Sequence, residues 1–276
     1  MPDKAGSGSE KVKMKKDYNR KREFEQPEVP EDAFRIEGRN ALIEAFRSGK
    51  EIDRVYMLER SGRTEEGSLA TIRREAAKRG TPIRFVTRER LDQISETGNH
   101  QGVIAFAAAY SYAEIGDLFA RAKEKGEPPF FILLDSIEDP HNLGAVIRTA
   151  NTAGAHGVII PKDRAVGLTA TVAKASAGAL NFTPVARVTN LARTIEELKE
   201  KGMWFVCADM DGEPYTSLDL RGAIGLVIGA EGSGVSRLVR EKCDFVASIP
   251  MKGEINSLNA SVAAGVMAYE IVRQRG

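Results

Sequence analysis

The stretch Pro129–Pro161, PFFILLDSIEDPHNLGAVIRTANTAGAHGVIIP, decides the fold. It opens with a continuous apolar run of the kind buried on both faces of a parallel sheet. A polar loop follows, then small and apolar residues from Leu143 to Ala153 that predict a helix, with Gly154 as its stop. Gly157–Ile160 is a second apolar strand, so the stretch is a βαβ unit. Downstream the alternation continues. A small-residue helix is expected over Thr169–Leu180, a strand at Pro184–Val188, a helix at Leu191–Lys201 and a strand at Trp204–Ala208. Gly225–Ile228 and Phe245–Ile249 are further strands, and Asn256-Ser257-Leu258-Asn259 opens a last helix. Its Leu258, Val262, Val266, Tyr269 and Val272 recur at helical spacing and predict its core face. The expected fold class is α/β, a parallel sheet covered by helices on both faces.

Upstream, Arg39–Arg47 reads as a helix, Arg54–Leu58 as a strand, and Ser68–Lys78 as a helix ended by Gly80. Ile83–Val86, Arg88–Ile94 and Gly102–Ala107 follow as strand, short helix and strand. This is a smaller α/β unit, expected over residues 34–110. Residues 1–33, with few apolar side chains, a Gly/Ser patch and several prolines, are expected to be a disordered basic arm. Residues 111–128, with Gly126 and two prolines, read as a linker to a larger domain over 129–276.

Of the 276 residues, 42% are apolar and 29% charged, the balance of a soluble globular chain. No apolar run reaches membrane-spanning length and the N-terminus has no signal-peptide pattern, so a cytoplasmic protein is expected. Cys207 and Cys243 lack metal-ligand spacing and read as free thiols of a reducing compartment. His100, His141 and His156 form no ligand pair, which argues against a metal site. A net charge of +1 hides a basic run over residues 11–22, KVKMKKDYNRKR. Arg39, Arg47, Arg73, Arg74, Lys78 and Arg79 fall on predicted helices, where long cationic side chains suit phosphate contacts.

Three constellations stand out in the larger domain. GAEGSG after the strand Gly225–Ile228 is a glycine-rich turn without the Gly-Lys-Ser/Thr of a P-loop and without a G-x-G-x-x-G spacing. Glu231 in its middle either complements a helix dipole or serves a site. Asn142 stands at the edge of the 143–153 helix, where asparagine caps well. Arg148, among Val146, Ile147 and Ala150, needs an anionic partner, a phosphate or a carboxylate such as Glu231. Ser257 reads as an N-cap, and Asn259 falls inside the first turn, where asparagine is a poor helix former. Loops at strand ends beside a helix N-terminus make a cleft for a small polar ligand.

DPHNLGAVIRTA, LVIGAEGSGV and IPMKGEINSLNASVAAGV, in that order, closely resemble the SpoU (TrmH-like) branch of the SPOUT RNA methyltransferases. RIEGRNALIEAF and NHQGVIAFA resemble the RNA-binding domain of its RlmB-type members, which methylate a ribose 2′-hydroxyl of a guanosine in large-subunit ribosomal RNA. The resemblance implies a C-terminal trefoil knot and a homodimer whose active site draws on both subunits. It implies S-adenosylmethionine as methyl donor, held mainly by backbone groups around Gly229, Ile249 and Leu258, and no metal. It also implies that Asn142, Arg148, Glu231, Ser257 and Asn259 are the catalytic set. A transfer RNA target within the same family and a non-catalytic RNA-binding module are the alternatives. A nicotinamide-dependent enzyme is disfavoured by the missing early glycine fingerprint.

Overall fold

The computed structural model describes residues 34–59 and 67–276; the expected arm over 1–33 lies outside the described residues. Two sheets organise what is described. The first has four strands: β1 (Phe34–Glu37), β2 (Ile52–Leu58), β3 (Ile83–Val86) and β4 (Val103–Ala107), in the order β1-β4-β2-β3. β4 runs antiparallel to both β1 and β2, whereas β3 is parallel to β2. Helices α1 (Arg39–Arg47), α2 (Ser68–Arg79) and α3 (Arg88–Ile94) join them. Leu42, Phe46, Leu69 and Ile72 of α1 and α2 pack with Val55, Met57 and Val103 of the sheet in one apolar cluster. α2 stops at Gly80, which is left-handed at φ 61°, the conformation a side chain would strain. β1 was not expected from the sequence: Phe-Arg-Ile-Glu is too short and too polar to register as a strand without its antiparallel partner.

After α4 (Ile115–Lys125) comes the second sheet, six parallel strands in the order β10-β8-β9-β5-β6-β7. Its members are β5 (Phe130–Asp135), β6 (Gly157–Pro161), β7 (Val185–Val188), β8 (Trp204–Pro214), β9 (Ile224–Gly229) and β10 (Phe245–Ser248). The crossovers are α5 (Pro140–Thr152), α6 (Ala170–Ala175), α7 (Leu191–Lys199) and α8 (Arg237–Lys242), and α9 (Ala260–Arg275) ends the chain. Every residue of β5 is buried, as its unbroken apolar run requires. One apolar cluster lies on each face of the sheet: α5 and α9 cover one side with Val146, Ile147, Met267 and Ile271, and α7 covers the other with Leu191, Ile195 and Leu198.

Four expectations need correction. α5 starts at Pro140, not Leu143, because Asp139 caps it by accepting from His141 N and Asn142 N, and proline suits a first helical position. The helix expected over Thr169–Leu180 ends at Ala175; Ala177 and Gly178 turn left-handed, and a short 3₁₀ turn follows at Ala179–Asn181. β8 runs to Pro214, six residues beyond Ala208, since Glu213 and Pro214 still pair with β10 across a register shift. The core face of α9 is Ala260, Ala264, Met267, Ala268 and Ile271, whereas Val262 and Tyr269 stay about half exposed, at 49% and 51%.

The sheets are joined by a buried polar cluster. Asp53 of β2 accepts from Arg187 Nη1 of β7 at 2.7 Å and from the Tyr112 hydroxyl at 2.7 Å. The other guanidinium nitrogen donates to the Asp53 carbonyl at 2.6 Å, and Arg54 reaches the carbonyl of Ala165. Burial and the neighbouring carboxylate drive the Tyr112 phenol far above its ordinary range, so it remains a donor.

Candidate active site

β5 is the point where the parallel sheet changes direction. The chain proceeds outward through β6 and β7 on one side, then returns to build β9, β8 and β10 on the other. Loops leaving adjacent strands at such a switch point splay apart and leave a crevice at the C-terminal strand ends. Asp135 and Gly229 are register partners at those ends. Asp135 is buried, and its Oδ2 accepts from Ser236 N at 2.7 Å, tying the loop after β9 to the end of β5. The next residue, Ser136, holds φ 64°, a left-handed conformation uncommon outside glycine.

The loop after β9 closes on itself. Ala230 and Gly234 bond reciprocally, at 3.2 and 2.9 Å, and Gly232 and Gly234 take positive φ to allow it. Gly229 is required by the same closure: a Cβ there would stand 2.1 Å from the carbonyl carbon of Gly234 and 2.2 Å from Val235 N. The tip of this turn presents Glu231. Asn142 Nδ2 donates to Glu231 Oε1 at 2.8 Å, and Asn259 Nδ2 donates to that same oxygen and to Asn142 Oδ1, the latter at 2.9 Å. Residues separated by 89 and 117 positions in the chain thus meet in one hydrogen-bonded trio.

Asn259 is itself the N-cap of α9. Its Oδ1 accepts from Ser261 N, Val262 N and Ser261 Oγ, leaving its amide nitrogen to face the trio. The expectation that it lay inside the first turn is corrected, and so is the expected cap role of Ser257. Ser257 is exposed and its side chain makes no hydrogen bond to another described residue. Asn142 lies within α5 rather than capping it, and is only 9% exposed. Arg148 sits six residues further along α5, about 9 Å of helix rise. It is exposed, and its guanidinium has no carboxylate partner among the described residues. The ion pair with Glu231 considered from sequence is therefore absent: Glu231 is satisfied by two amides, and Arg148 is left available for an anion. Asp135 and Asp139, which fix the two loops, were not singled out from the sequence. The signal was there in LLDSIEDP, an acid at a strand end and another before a proline.

Ile249 packs partly against the main core cluster just after β10, and Leu258, 38% exposed, immediately precedes the cap of α9. Between them no main-chain N–H or C=O of residues 249–258 bonds to another described backbone group. A run of unspent donors and acceptors at the strand ends suits a polar ligand held by the backbone. Among the described residues no group of three acidic, histidine or cysteine side chains could hold a metal.

Residues 129–269 match the model of the SpoU rRNA Methylase family, and residues 35–113 match an RNA 2′-O ribose methyltransferase substrate-binding model. A Bacillus subtilis protein named "Putative TrmH family tRNA/rRNA methyltransferase YacO" is 53% identical over 86% of this chain and 94% of its own length. The crystal structure of the SpoU methyltransferase AviRb from Streptomyces viridochromogenes, in complex with AdoMet, superposes with a TM-score of 0.55 at 25% identity, over 88% of this chain and 91% of that one. A TrmH-family structure from Porphyromonas gingivalis shares the fold at TM-score 0.52 and 21% identity, across 98% of this chain and all of that one. The chain belongs to the SpoU (TrmH) family of RNA methyltransferases. The α/β fold with its parallel sheet, expected from Pro129–Pro161, is that of the family's solved structures.

Proposed function

We propose that the protein transfers a methyl group from S-adenosylmethionine to the ribose 2′-hydroxyl of a guanosine in large-subunit ribosomal RNA. The observation that carries the reading is the Asn142–Glu231–Asn259 trio at the switch point of the parallel sheet, with Arg148 exposed further along the helix that supplies Asn142. The unspent backbone groups of residues 249–258, with Gly229 at the end of β9, fit the donor; Ile249 and Leu258 flank it. When bound, the sulfonium supplies an electrophilic methyl group open to in-line displacement by the ribose oxygen.

The protein's part is alignment and charge. Arg148 remains protonated, since a guanidinium does not lose its proton in a protein. It holds the phosphate next to the target ribose and stabilises the alkoxide as it develops, while that phosphate or a water takes the proton. Asn142, Glu231, Ser257 and Asn259 position the ribose relative to it. Residues 34–110 form the RNA-binding unit, 111–128 the linker and 129–276 the methyltransferase domain. A separate unit of this kind, rich in arginine on α2, favours ribosomal over transfer RNA. The half-exposed apolar face of α9 supports a homodimer, and the placement of late-arriving β9 between β8 and β5 supports a knotted C-terminal segment.

Arg148→Ala tests the assignment. Arg148 is exposed and unbonded, so thermal stability should move by no more than about 0.5 kcal/mol. S-adenosylmethionine affinity should hold, and turnover should fall at least about a hundredfold. The assay is transfer of labelled methyl to total RNA from a strain lacking the protein, with the product mapped to base or ribose. Label on a 2′-oxygen of large-subunit RNA supports the full reading, label on transfer RNA overturns the target, and near-normal turnover in the variant overturns the role of Arg148.

A further inference from the structure

A second cleft opens where the chain leaves the four-stranded sheet. Its volume is about 370 Å³, and its lining includes Tyr110, Tyr112, Arg121, Asn181, Phe182 and Thr183. That is near the lower end of the range for small-ligand sites. Phe182 is 67% exposed and Tyr110 38%, a poor place for two aromatic rings unless something covers them. No acidic side chain lines the cleft, and Arg121 is its one charged lining residue.

The walls are held in place. Arg121 Nη1 donates to the carbonyl of Phe182, and Thr183, only 1% exposed, accepts from Asn151 Nδ2 at 3.1 Å. The backbone on both sides of the Phe182 ring is therefore anchored while the ring itself faces solvent. On the other wall the Tyr112 hydroxyl is bound to Asp53 and its ring lies under the Arg187 guanidinium, 5.1 Å away. Asn181 is exposed, and its side-chain amide makes no hydrogen bond to another described residue. Two accessible aromatic faces, a free amide and a lone cation form a site for a flat ring with a polar edge.

The cleft also has a defined relation to the candidate active site. Asn151, which holds Thr183 in the cleft wall, follows Arg148 by three residues on α5, so both lie on one face of the same helix. We propose that this cleft receives an unpaired nucleobase of the RNA substrate, stacked on Phe182 and Tyr110, from the strand that carries the ribose meeting Arg148. The proposal rests on the methyl-transfer reading for the place of Arg148 and adds that the substrate must be splayed open there, not held as a duplex.

The test uses the full chain with Phe182→Ala and Phe182→Trp, and ribosomal RNA from a strain lacking the protein as the probe. Equilibrium RNA binding, KM for RNA, kcat, S-adenosylmethionine affinity and association state are measured for each. Phe182→Ala should weaken RNA binding and raise KM by about fivefold or more, as for loss of one stacked base. It should leave cofactor affinity unchanged, and Phe182→Trp should restore binding. Unchanged RNA affinity in Phe182→Ala overturns the proposal. A change in the association state of Phe182→Ala without RNA also overturns it, because a second copy of the chain would then cover the rings. If the wild-type chain transfers no methyl to RNA, the proposed function fails instead, and the binding comparison still decides the cleft.

Discussion

Glu231 carries a negative charge into a trio whose other members are neutral amides, and the charge and the shape of the group can be separated. Both asparagine nitrogens donate to one oxygen, Oε1, and a glutamine can present that oxygen unchanged. Glu231→Gln should keep the geometry and lose about 1 kcal/mol from weaker, uncharged acceptance. Glu231→Ala leaves two amides without an acceptor and should lower methyl transfer much further. Equal loss of turnover in both variants would show that the charge acts directly rather than by holding Asn142 and Asn259. His156 offers a pH-dependent counterpart away from the site. Its Nδ1 accepts from Phe130 N at 3.0 Å, which fixes the proton on Nε2, facing Glu127. Burial holds the imidazole below its ordinary value, so the unfolded chain binds this proton more readily than the folded one. The resulting stability is whole above the unfolded value of about 6.5 and drains away as pH falls through the lower folded value. Urea midpoints of wild type and His156→Asn should therefore converge between neutral and acid pH; a gap independent of pH would defeat the assignment. At this scale the sequence singled out Asn142 as a helix-edge cap, Glu231 as an acid inside a glycine turn and Asn259 as a poor residue for a first helical turn. It could not show their joining, because that depends on a helix, a glycine-rich turn and a helix cap converging from distant segments. It also hid the cap role of Asn259, because the helix starts two residues later than a cap at Ser257 implies.

Helix α5 carries Asn142 and Arg148, and its seating depends on Gly144. A Cβ at that position would lie 2.4 Å from the Ala175 Cβ and 2.8 Å from the Val172 carbonyl oxygen, both in α6. Gly144→Ala should therefore destabilise the fold by about 1–3 kcal/mol, despite the usual helical preference for alanine. Denaturant unfolding gives the answer directly, and a neutral or stabilising result would mean that the two helices separate easily. Strands and helices were legible where their patterns are local: β5 is apolar from Phe130 to Leu134, and Gly80 and Gly154, one in each α/β unit, mark stops that a left-handed turn requires. What stayed hidden was set by tertiary contact. Gly178 follows Ala177 into a left-handed turn that breaks α6 in a stretch of good helix formers. The extension of β8 to Pro214 exists only because β10 pairs with it. Nor does any local pattern announce that β9, formed after β8, enters between β8 and β5.

For the whole molecule, part of the α9 face that the sequence marks as core is left uncovered, although Val272 packs against the core. Val262 and Tyr269 are about half exposed, and Leu258 continues their stripe to the loop proposed to hold the methyl donor. A helix apolar on both sides has a second surface to bury, and a second chain placed on this one would meet the site at its edge. If the active site is shared, Arg148 of one chain serves the donor loop of the other. Subunit mixing separates that arrangement from an autonomous chain. Arg148→Ala removes the cation, and Gly229→Ala forces a Cβ into the backbone of Gly234 and Val235, spoiling the loop while sparing Arg148. Each variant alone should be nearly inactive. In a mixed dimer with a shared site, one site receives both defects and the other receives neither. Co-refolding or co-expressing the pair should then return up to about half the activity per mixed dimer, and wild type should run at twice its chain mass in light scattering. A monomeric wild type, or mixed dimers as inactive as their parents, would place the complete site within one chain. The stripe on α9 would then need a different partner.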